Sequence, residues 1–217
     1  MNPALIELII LAGIAVFLFL RLRSVLGTRE GFEKPRMQPK NDAPKRDFKV
    51  IDGGEDKDIT DNVEKNSSSA KALKTIKEND EAFMVNEFLS GARSAYEWIL
   101  MSFEKNEIDD IRELLSEEVA EAFDSVVEQR ISQGLTIEAE FIGVREMKLV
   151  DASYNSKTNT AEIAVSFIGE MTSVVKNSSG EIVEGDSKKI KRQKDTWTFS
   201  KDIKSSNPNW LLVATGE

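Results

Sequence analysis

The sequence of 217 residues contains neither cysteine nor histidine. The absence of cysteine excludes a disulfide framework and thiol chemistry. The absence of histidine removes the most common general base, the most common metal ligand and the usual pH switch. The sequence also lacks a glycine-rich phosphate loop, a nucleophile elbow and any cluster with metal-ligand spacing. We therefore expect a protein that is not an enzyme and that carries neither a cofactor nor a metal.

Charged residues are nearly absent from the start of the chain, where Glu7 is the only one between residues 3 and 20. A helix of about 18 residues spans roughly 27 Å, close to the hydrocarbon thickness of a bilayer. Arg21 and Arg23 follow directly, and the positive-inside rule then places the C-terminal bulk in the cytoplasm. A cleaved secretory signal is the alternative, but no basic residue precedes the run and no clear Ala-x-Ala site follows it. We expect residues 1–26 to form an uncleaved single-pass anchor with its N-terminus outside.

Net charge is uneven along the chain. The total is −9, yet residues 21–49 hold nine basic and only four acidic residues, so the remainder is strongly acidic. A basic flank beside a bilayer attracts anionic phospholipid, and Arg21, Arg23 and Arg29 are the candidate contacts. An acidic domain is repelled by nucleic acid, so we expect no nucleic-acid partner. No Arg- and Ser-rich transit peptide is present, which favours a bacterial inner membrane over an imported mitochondrial precursor.

Residues 27–79 are predicted to be a flexible charged linker. They contain three prolines, the pair Gly53-Gly54 and the run Ser67-Ser68-Ser69, and they show little sustained apolar periodicity. The stretch 71–77 resembles a short basic amphipathic turn that could lie on a membrane, with a frayed helix start as the alternative.

The pattern changes at Asp80, where a domain covering residues 80–217 is predicted to begin. Apolar side chains then recur at three- and four-residue steps as far as Phe103, which indicates one face of a helix. Gly91 lies inside this helix. Because glycine is unfavourable in a helix interior, we expect close packing against another element there.

Two further helices are indicated by their caps. Asn106 is predicted to cap a short second helix, and Ser116 a third helix that ends at Gly134. After Gly134 the apolar period becomes two, most clearly at residues 161–167. Helices followed by four or five strands with short turns predict an α+β fold, with an antiparallel meander and the helices on one face.

The end of the chain carries two of the three tryptophans, in Trp197-Thr198-Phe199 and Asn207-Pro208-Asn209-Trp210. A solvated tail would not carry two tryptophans and an aliphatic run, so we expect this block to pack into a core. The block resembles the C-terminal signature of the Tim44-like domain family. The resemblance extends over roughly residues 80 to 215 and includes three short matches in the first helix: Phe88-Leu89, Gly91-Ala92 and Ala95-Tyr96-Glu97.

The resemblance implies a curved-sheet, cone-shaped fold of the nuclear-transport-factor-two-like class. The family is named for the matrix-side adaptor of the mitochondrial inner-membrane protein translocase and has alphaproteobacterial members. It implies a membrane-anchored adaptor or scaffold for protein translocation, insertion or assembly. Implied partners are inner-membrane or translocating proteins and a chaperone. In the mitochondrial protein a separate N-terminal region recruits the chaperone, whereas the predicted anchor and linker occupy that part of this chain.

Two alternatives stay open. The first is an isomerase- or dehydratase-like enzyme of the same conical fold, which would need a carboxylate pointing into an apolar cavity. The second is a lipid-binding domain without a protein partner.

Asp195 and Asp202 flank the Trp197 strand, and we expect them at turn or edge positions.

The resemblance also implies an apolar pocket between helix and sheet, which in the family is thought to accept an acyl chain or a hydrophobic peptide. The candidate lining residues are Phe88, Tyr96, Ile99, Phe141, Phe167, Trp197 and Trp210. The alternative is that these side chains fill the core, because aromatic residues at helix or strand spacing usually pack.

Five basic residues lie between positions 188 and 194 of an otherwise acidic domain. They first indicate a solvated edge strand in which lysines discourage aggregation. The alternative is a dock for anionic phospholipid or an acidic partner. Its candidate contact residues are Lys188, Lys189, Lys191 and Arg192.

Overall fold

The computed structural model describes residues 56–216, in which helices precede strands. The helical segments are α1 (Lys57–Thr60), α2 (Ser68–Asn79), α3 (Val85–Glu104), a 3-10 helix (Ile108–Leu114) and α4 (Glu117–Ser132). The strands are β1 (Thr136–Asn155), β2 (Thr160–Lys176), β3 (Ile182–Asp202) and β4 (Leu211–Gly216). The prediction of an α+β fold is confirmed.

The sheet is an antiparallel meander in which the strands lie in sequence order, β1-β2-β3-β4. Asn155 pairs with Thr160 across the first hairpin, where Asn159 is left-handed with a φ of 56°. The second hairpin turns at residues 177–181, where Gly180 has a φ of 79°. Asparagine and glycine tolerate this conformation best, so both residues suit the places where the chain reverses.

β1 is one long strand whose pairing with β2 is interrupted. Its pairing with β2 shifts at three places: between Phe141 and Gly143, between Val144 and Glu146, and between Leu149 and Asp151. Each shift inserts an unpaired residue, which bends the strand and changes the phase of the alternation. Ile142 and Val150 lie in two of these shifts and are exposed.

One face of the sheet is buried under the helices. On β2 the alternating apolar side chains from Ala161 to Phe167 are fully buried, as their period of two predicted. Trp197 and Phe199 on β3 and Leu212 on β4 continue the same buried surface. The core therefore lies between this face and helices α2 and α3.

Helix α2 is part of the folded domain. Leu73 and Ile76 are fully buried. The Ser69 hydroxyl donates to Asp151 Oδ1 on β1 (2.9 Å) and accepts from the backbone N–H of Ala152 (3.2 Å). These contacts fasten the helix to the first strand of the sheet.

The flexible-linker prediction is therefore wrong for residues 56–79, while residues 27–55 lie outside the described residues. The physical reason is local. Leu73 and Ile76 give only one turn of apolar spacing, and lysines at positions 71, 74 and 77 surround them. A pattern that short does not reveal a buried helix face.

The N-terminus of α3 is capped from another helix. Met84, at the cap position, makes no side-chain bond, whereas the Asp58 carboxylate of α1 accepts from the backbone N–H groups of Val85 (2.7 Å) and Asn86 (2.9 Å). Lys77 of α2 also donates to Asp58 (2.8 Å). Burial raises the pKa of Asp58, but the bonds from Lys77 and the two N–H groups outweigh it and hold the pKa below its usual range.

Predictions at the other helix ends differ in outcome. Ser116 caps α4 as predicted, since its hydroxyl accepts from the backbone N–H of Val119 (3.3 Å), and Gly134 follows the helix with a φ of 65°. Asn106 does not act as a cap. It has a φ of 63°, and the cap position of the following 3-10 helix is Glu107. Asparagine suits both roles, so its presence alone does not distinguish them.

Gly91 is exposed on α3, and a Cβ added there would meet no heavy atom within 4 Å. The close packing expected at this glycine is therefore not made by any element in residues 56–216.

No helix between residues 56 and 216 combines the length and the apolar character needed to cross a bilayer. The predicted anchor at residues 1–26, with Arg21, Arg23 and Arg29, lies outside the described residues.

Candidate functional site

A buried carboxylate links the sheet to helix α3. Asp195 on β3 is 9% exposed, and the hydroxyl of the fully buried Tyr96 donates to its Oδ2 at 2.6 Å. The Gln193 side-chain amide donates to Oδ1 at 3.0 Å. Burial raises the pKa of Tyr96, and the bond to Asp195 raises it further. Tyr96 therefore stays protonated and acts here as a hydrogen-bond donor.

Asp195 does not lie in a turn. Its backbone is at the edge of the described sheet, because β4 pairs with β3 only from Thr196 onward, but its side chain is buried. The residue pairs with Phe167 of β2 and lies on the buried face of the sheet. The signal was present in the sequence, because Asp195 is in phase with Trp197 and Phe199 at a period of two. Alternation alone would have placed all three side chains on the same face.

Three of the other six predicted pocket residues lie around Tyr96. Its ring stacks on Phe167 (centroids 4.4 Å apart, planes 10° apart) and lies 4.7 Å from Trp197 and 6.2 Å from Phe141. These rings contact one another, so they pack the core at this level of the sheet. Ile99, one turn further along α3, is also fully buried.

Gly169 allows the Tyr96 hydroxyl to reach Asp195. A Cβ at this position would lie 2.7 Å from the Tyr96 hydroxyl oxygen, well inside van der Waals contact. Gly169 pairs with Gln193, so the glycine and both partners of the carboxylate share one small region. No sequence motif drew attention to this glycine, because its role depends on a residue 73 positions earlier.

Phe88 and Trp210, the other two predicted pocket residues, line a shallow pocket at the start of α3. Their rings are 4.8 Å apart, and Phe83 lies 5.8 Å from Trp210. The pocket has a volume of about 180 Å³, and the ion pair between Asp80 and Lys201 (3.4 Å) stands at its rim. The seven residues are thus divided between this pocket and the packed core.

A second pocket, of about 320 Å³, lies beside the 3-10 helix and is polar. Arg112 bonds there to Asp124 (3.1 Å) and to Asp109 (3.2 Å), and these bonds raise the pKa of Arg112, with Asp124 contributing most. Neither pocket is lined by Asp195. Within residues 56–216, no group of three or more acidic side chains is arranged to hold a metal ion.

A partly buried ion pair lies near the C-terminus of α3. Arg130 of α4 donates to the Phe103 carbonyl (3.0 Å), stands 4.3 Å from the centre of the Phe103 ring and lies 3.9 Å from Glu104. Burial raises the pKa of Glu104, and the attraction of Arg130 and Lys191 only partly offsets it. The pair joins α3 to α4 next to β3.

The basic residues of β3 do not form one charged surface. Arg192 donates to Glu170 of β2 (2.9 Å), whereas Lys191 lies near Glu104 on the helix side. This split follows from strand geometry, since successive side chains point to opposite faces. Lys188 and Lys189 are exposed. The four candidate residues therefore do not share one face with which they could all contact a lipid surface.

One tryptophan lies outside the core. Trp98 is 52% exposed on α3, one turn beyond Ser94 and two turns beyond Gly91. In the described domain, the exposed face of α3 therefore carries a large aromatic side chain next to small residues.

A family model for the Tim44-like domain matches residues 69–217. The chain belongs to the Tim44-like domain family. A search of the curated proteins found no match. Among solved structures, the intermembrane space region of the chloroplast protein ARC6 aligns with 66% of this chain and 94% of that structure, at 9% identity and a TM-score of 0.38.

The Tim44-like domain begins inside α2, one residue after the first residue of that helix. The family match and the burial of Leu73 therefore agree that α2 belongs to the domain, which the sequence placed at residues 80–217. Tim44-like proteins act in general as membrane-associated adaptors that bind proteins and membranes.

Proposed function

We propose that this Tim44-like protein is a membrane-anchored adaptor or scaffold at the cytoplasmic face of a bacterial inner membrane. The family match over residues 69–217 carries the proposal, because Tim44-like proteins act in general as membrane-associated adaptors. The apolar run at residues 3–20 and the basic flank after it support an anchor with its N-terminus outside. The proposal includes a cone-shaped domain and partners that are inner-membrane or translocating proteins.

We propose further that the domain has no catalytic role. The buried carboxylate of Asp195 is a feature that favours the alternative of an isomerase- or dehydratase-like enzyme. Both of its oxygens are engaged, by Tyr96 and by Gln193, and neither pocket described above reaches it. A general base needs an oxygen within reach of a substrate proton.

Crosslinking in intact membranes tests the adaptor proposal. A photoreactive amino acid replaces Trp98, which is exposed on α3, and in a matched protein it replaces Lys157, which is exposed in the first hairpin turn. We expect the full-length protein to capture the same membrane proteins repeatedly, with a different yield from the two positions. Absence of any reproducible membrane partner, together with normal membrane-protein assembly after gene deletion, would contradict the proposal.

Alkaline washing tests the anchor separately. The full-length protein should remain in the membrane pellet, whereas a chain that begins at residue 56 should be released. A lipid-binding domain without a protein partner is tested by flotation of that shorter chain with neutral and with anionic vesicles. Because the domain is acidic, we expect it not to float with either.

A further inference from the structure

Part of the β3 edge has no neighbouring strand within residues 56–216. β3 pairs with β2 in an unbroken register from Asp202 opposite Thr160 to Lys191 opposite Met171. β4 covers the other side of β3 only between Thr196 and Ser200. We call residues 191–194 the open edge, because no strand of the described domain lies on the side of this segment away from β2.

The open edge is regular and bounded at both ends. At one end, Gly216 of β4 lies opposite Thr196. At the other, the register jumps from Lys191 opposite Met171 to Asp186 opposite Ser173, so that residues 187–190 bulge out of the ladder. Bulges commonly close a sheet edge. The segment between the two limits is about 14 Å long and keeps strand geometry.

Charge determines which strand fits this edge. Five of the seven residues from 188 to 194 are basic and none is acidic. Arg192 is engaged by Glu170, but Lys188, Lys189 and Lys194 are exposed. A second copy of this edge would bring like charges together, which is destabilising, whereas an acidic strand is attracted.

The surroundings favour a protein segment over a lipid surface. Glu181, Glu184 and Asp186 lie on the same hairpin and are exposed, and the exposed Glu138 lies on β1, on the far side of β2. A flat anionic bilayer would meet these carboxylates together with the lysines. A narrow extended segment can contact the open edge alone.

We propose that the open edge binds an extended acidic segment of a partner protein, which adds a strand beside residues 191–194 in line with β4. The backbone of β3 supplies hydrogen bonds to the segment, and Lys188, Lys189 and Lys194 select its charge. This inference rests on the proposed adaptor function and names the surface and the chemical class of its partner.

Peptide binding to the full-length protein in neutral detergent tests the inference. The probe is a fluorescent peptide of seven residues in which Glu alternates with Thr and Val, followed by fluorescence anisotropy. We expect saturable one-to-one binding that weakens at least tenfold in a protein with Lys188→Glu, Lys189→Glu and Lys194→Glu. A matched protein with Lys57→Glu, Lys157→Glu and Lys204→Glu has the same net charge and should bind like the wild type.

Two further peptides separate strand addition from simple charge attraction. One is N-methylated at its odd residues and the other at its even residues, so both keep the charge of the probe. Because alternate N–H groups face the sheet, one of them should lose binding at least tenfold and the other should retain it. Equal binding of both would overturn the proposal, as would the absence of saturable binding by the probe.

Membrane crosslinking keeps this failure distinct from failure of the adaptor function. If no peptide binds while a photoreactive residue in place of Trp98 still captures membrane proteins, the open edge is not the binding surface and the adaptor function stands. A photoreactive residue at position 189 should label a partner protein. A photoreactive residue at position 98 should no longer capture this partner when the chain also carries Lys188→Glu, Lys189→Glu and Lys194→Glu. A phospholipid adduct at position 189 instead would overturn the proposal in favour of lipid contact.

Discussion

At the scale of single residues, the Tyr96 hydroxyl makes a buried polar link between helix α3 and the sheet. The Tyr96 hydroxyl lies 2.6 Å from Asp195 Oδ2 in a core of aromatic rings. A buried carboxylate that loses a donor keeps its desolvation cost without the bond that offset it. This link is therefore expected to contribute more to stability than a typical exposed hydrogen bond.

Tyr96→Phe is expected to lower the free energy of unfolding by about 1–3 kcal/mol, because it leaves Asp195 with one donor fewer. Denaturant unfolding measures the change. Tyr154→Phe is the matched control, since the Tyr154 hydroxyl makes only a long bond of 3.4 Å to Asn159. A loss for Tyr96→Phe no larger than that for Tyr154→Phe would contradict a role for the buried bond.

The same substitution should have opposite effects at two glycines. Gly91→Ala is expected to stabilise the protein by up to about 1 kcal/mol, because alanine is the better helix former and the position is open. Gly169→Ala is expected to destabilise it, because the new Cβ would lie 2.7 Å from the Tyr96 hydroxyl oxygen. Thermal unfolding of both variants checks the signs. A destabilising Gly91→Ala would show that another element contacts this face.

At the scale of elements, short helix α1 organises the N-terminus of the much longer α3. Asp58 accepts from two backbone N–H groups of α3 and from Lys77 of α2, so one carboxylate joins three helices. The dipole of α3 adds to this attraction, since a helix N-terminus favours negative charge.

Asp58→Ala is expected to lower the free energy of unfolding by about 0.5–2 kcal/mol at neutral pH, the usual cost of losing a helix cap. Because the folded-state pKa of Asp58 is lowered, its contribution is present above the unfolded-state pKa and is lost as pH falls through the folded-state pKa. The difference between wild type and variant should therefore shrink on acidification.

Unfolding curves at a series of pH values measure this difference. Asp61→Ala serves as the control, because Asp61 is exposed and lies at the end of the same helix. A difference for Asp58→Ala that stays constant down to strongly acidic pH would rule out a capping role for the ionised carboxylate.

At the scale of the whole molecule, α2 decides where the domain begins. A chain that begins at residue 80 lacks Leu73 and Ile76, both fully buried. Burying two such side chains contributes about 3–6 kcal/mol, a large part of the stability of an ordinary domain. We expect this chain to be largely unfolded, whereas a chain that begins at residue 56 should fold.

Circular dichroism and denaturant unfolding of the two chains check this expectation. The chain from residue 56 serves as the control, because it removes only residues that precede the described domain. Equal stability of both chains would show that α2 is dispensable, in conflict with its buried contacts.

Much of the fold could be predicted because apolar periodicity reports which side of an element faces solvent. The buried residues of β2 and the order of helices before strands were predicted in this way, whereas the Ser116 cap was predicted from its residue type. The candidate site could not be predicted as well. The seven residues predicted to line an apolar pocket are buried or half-buried, but periodicity does not state whether rings facing one another leave space between them.

The sequence by itself determined the fold class, the burial of the C-terminal tryptophan block and the family resemblance, because these depend on local spacing and residue type. Tertiary structure decided what depends on distant parts of the chain. It placed Asp195 against Tyr96, brought Asp58 to the start of α3, included α2 in the core and left residues 191–194, in the described domain, without a strand on the side away from β2. The physical reason is that the spacing of apolar residues along an element gives the direction in which each side chain points. The residues that a side chain contacts depend instead on which elements pack together.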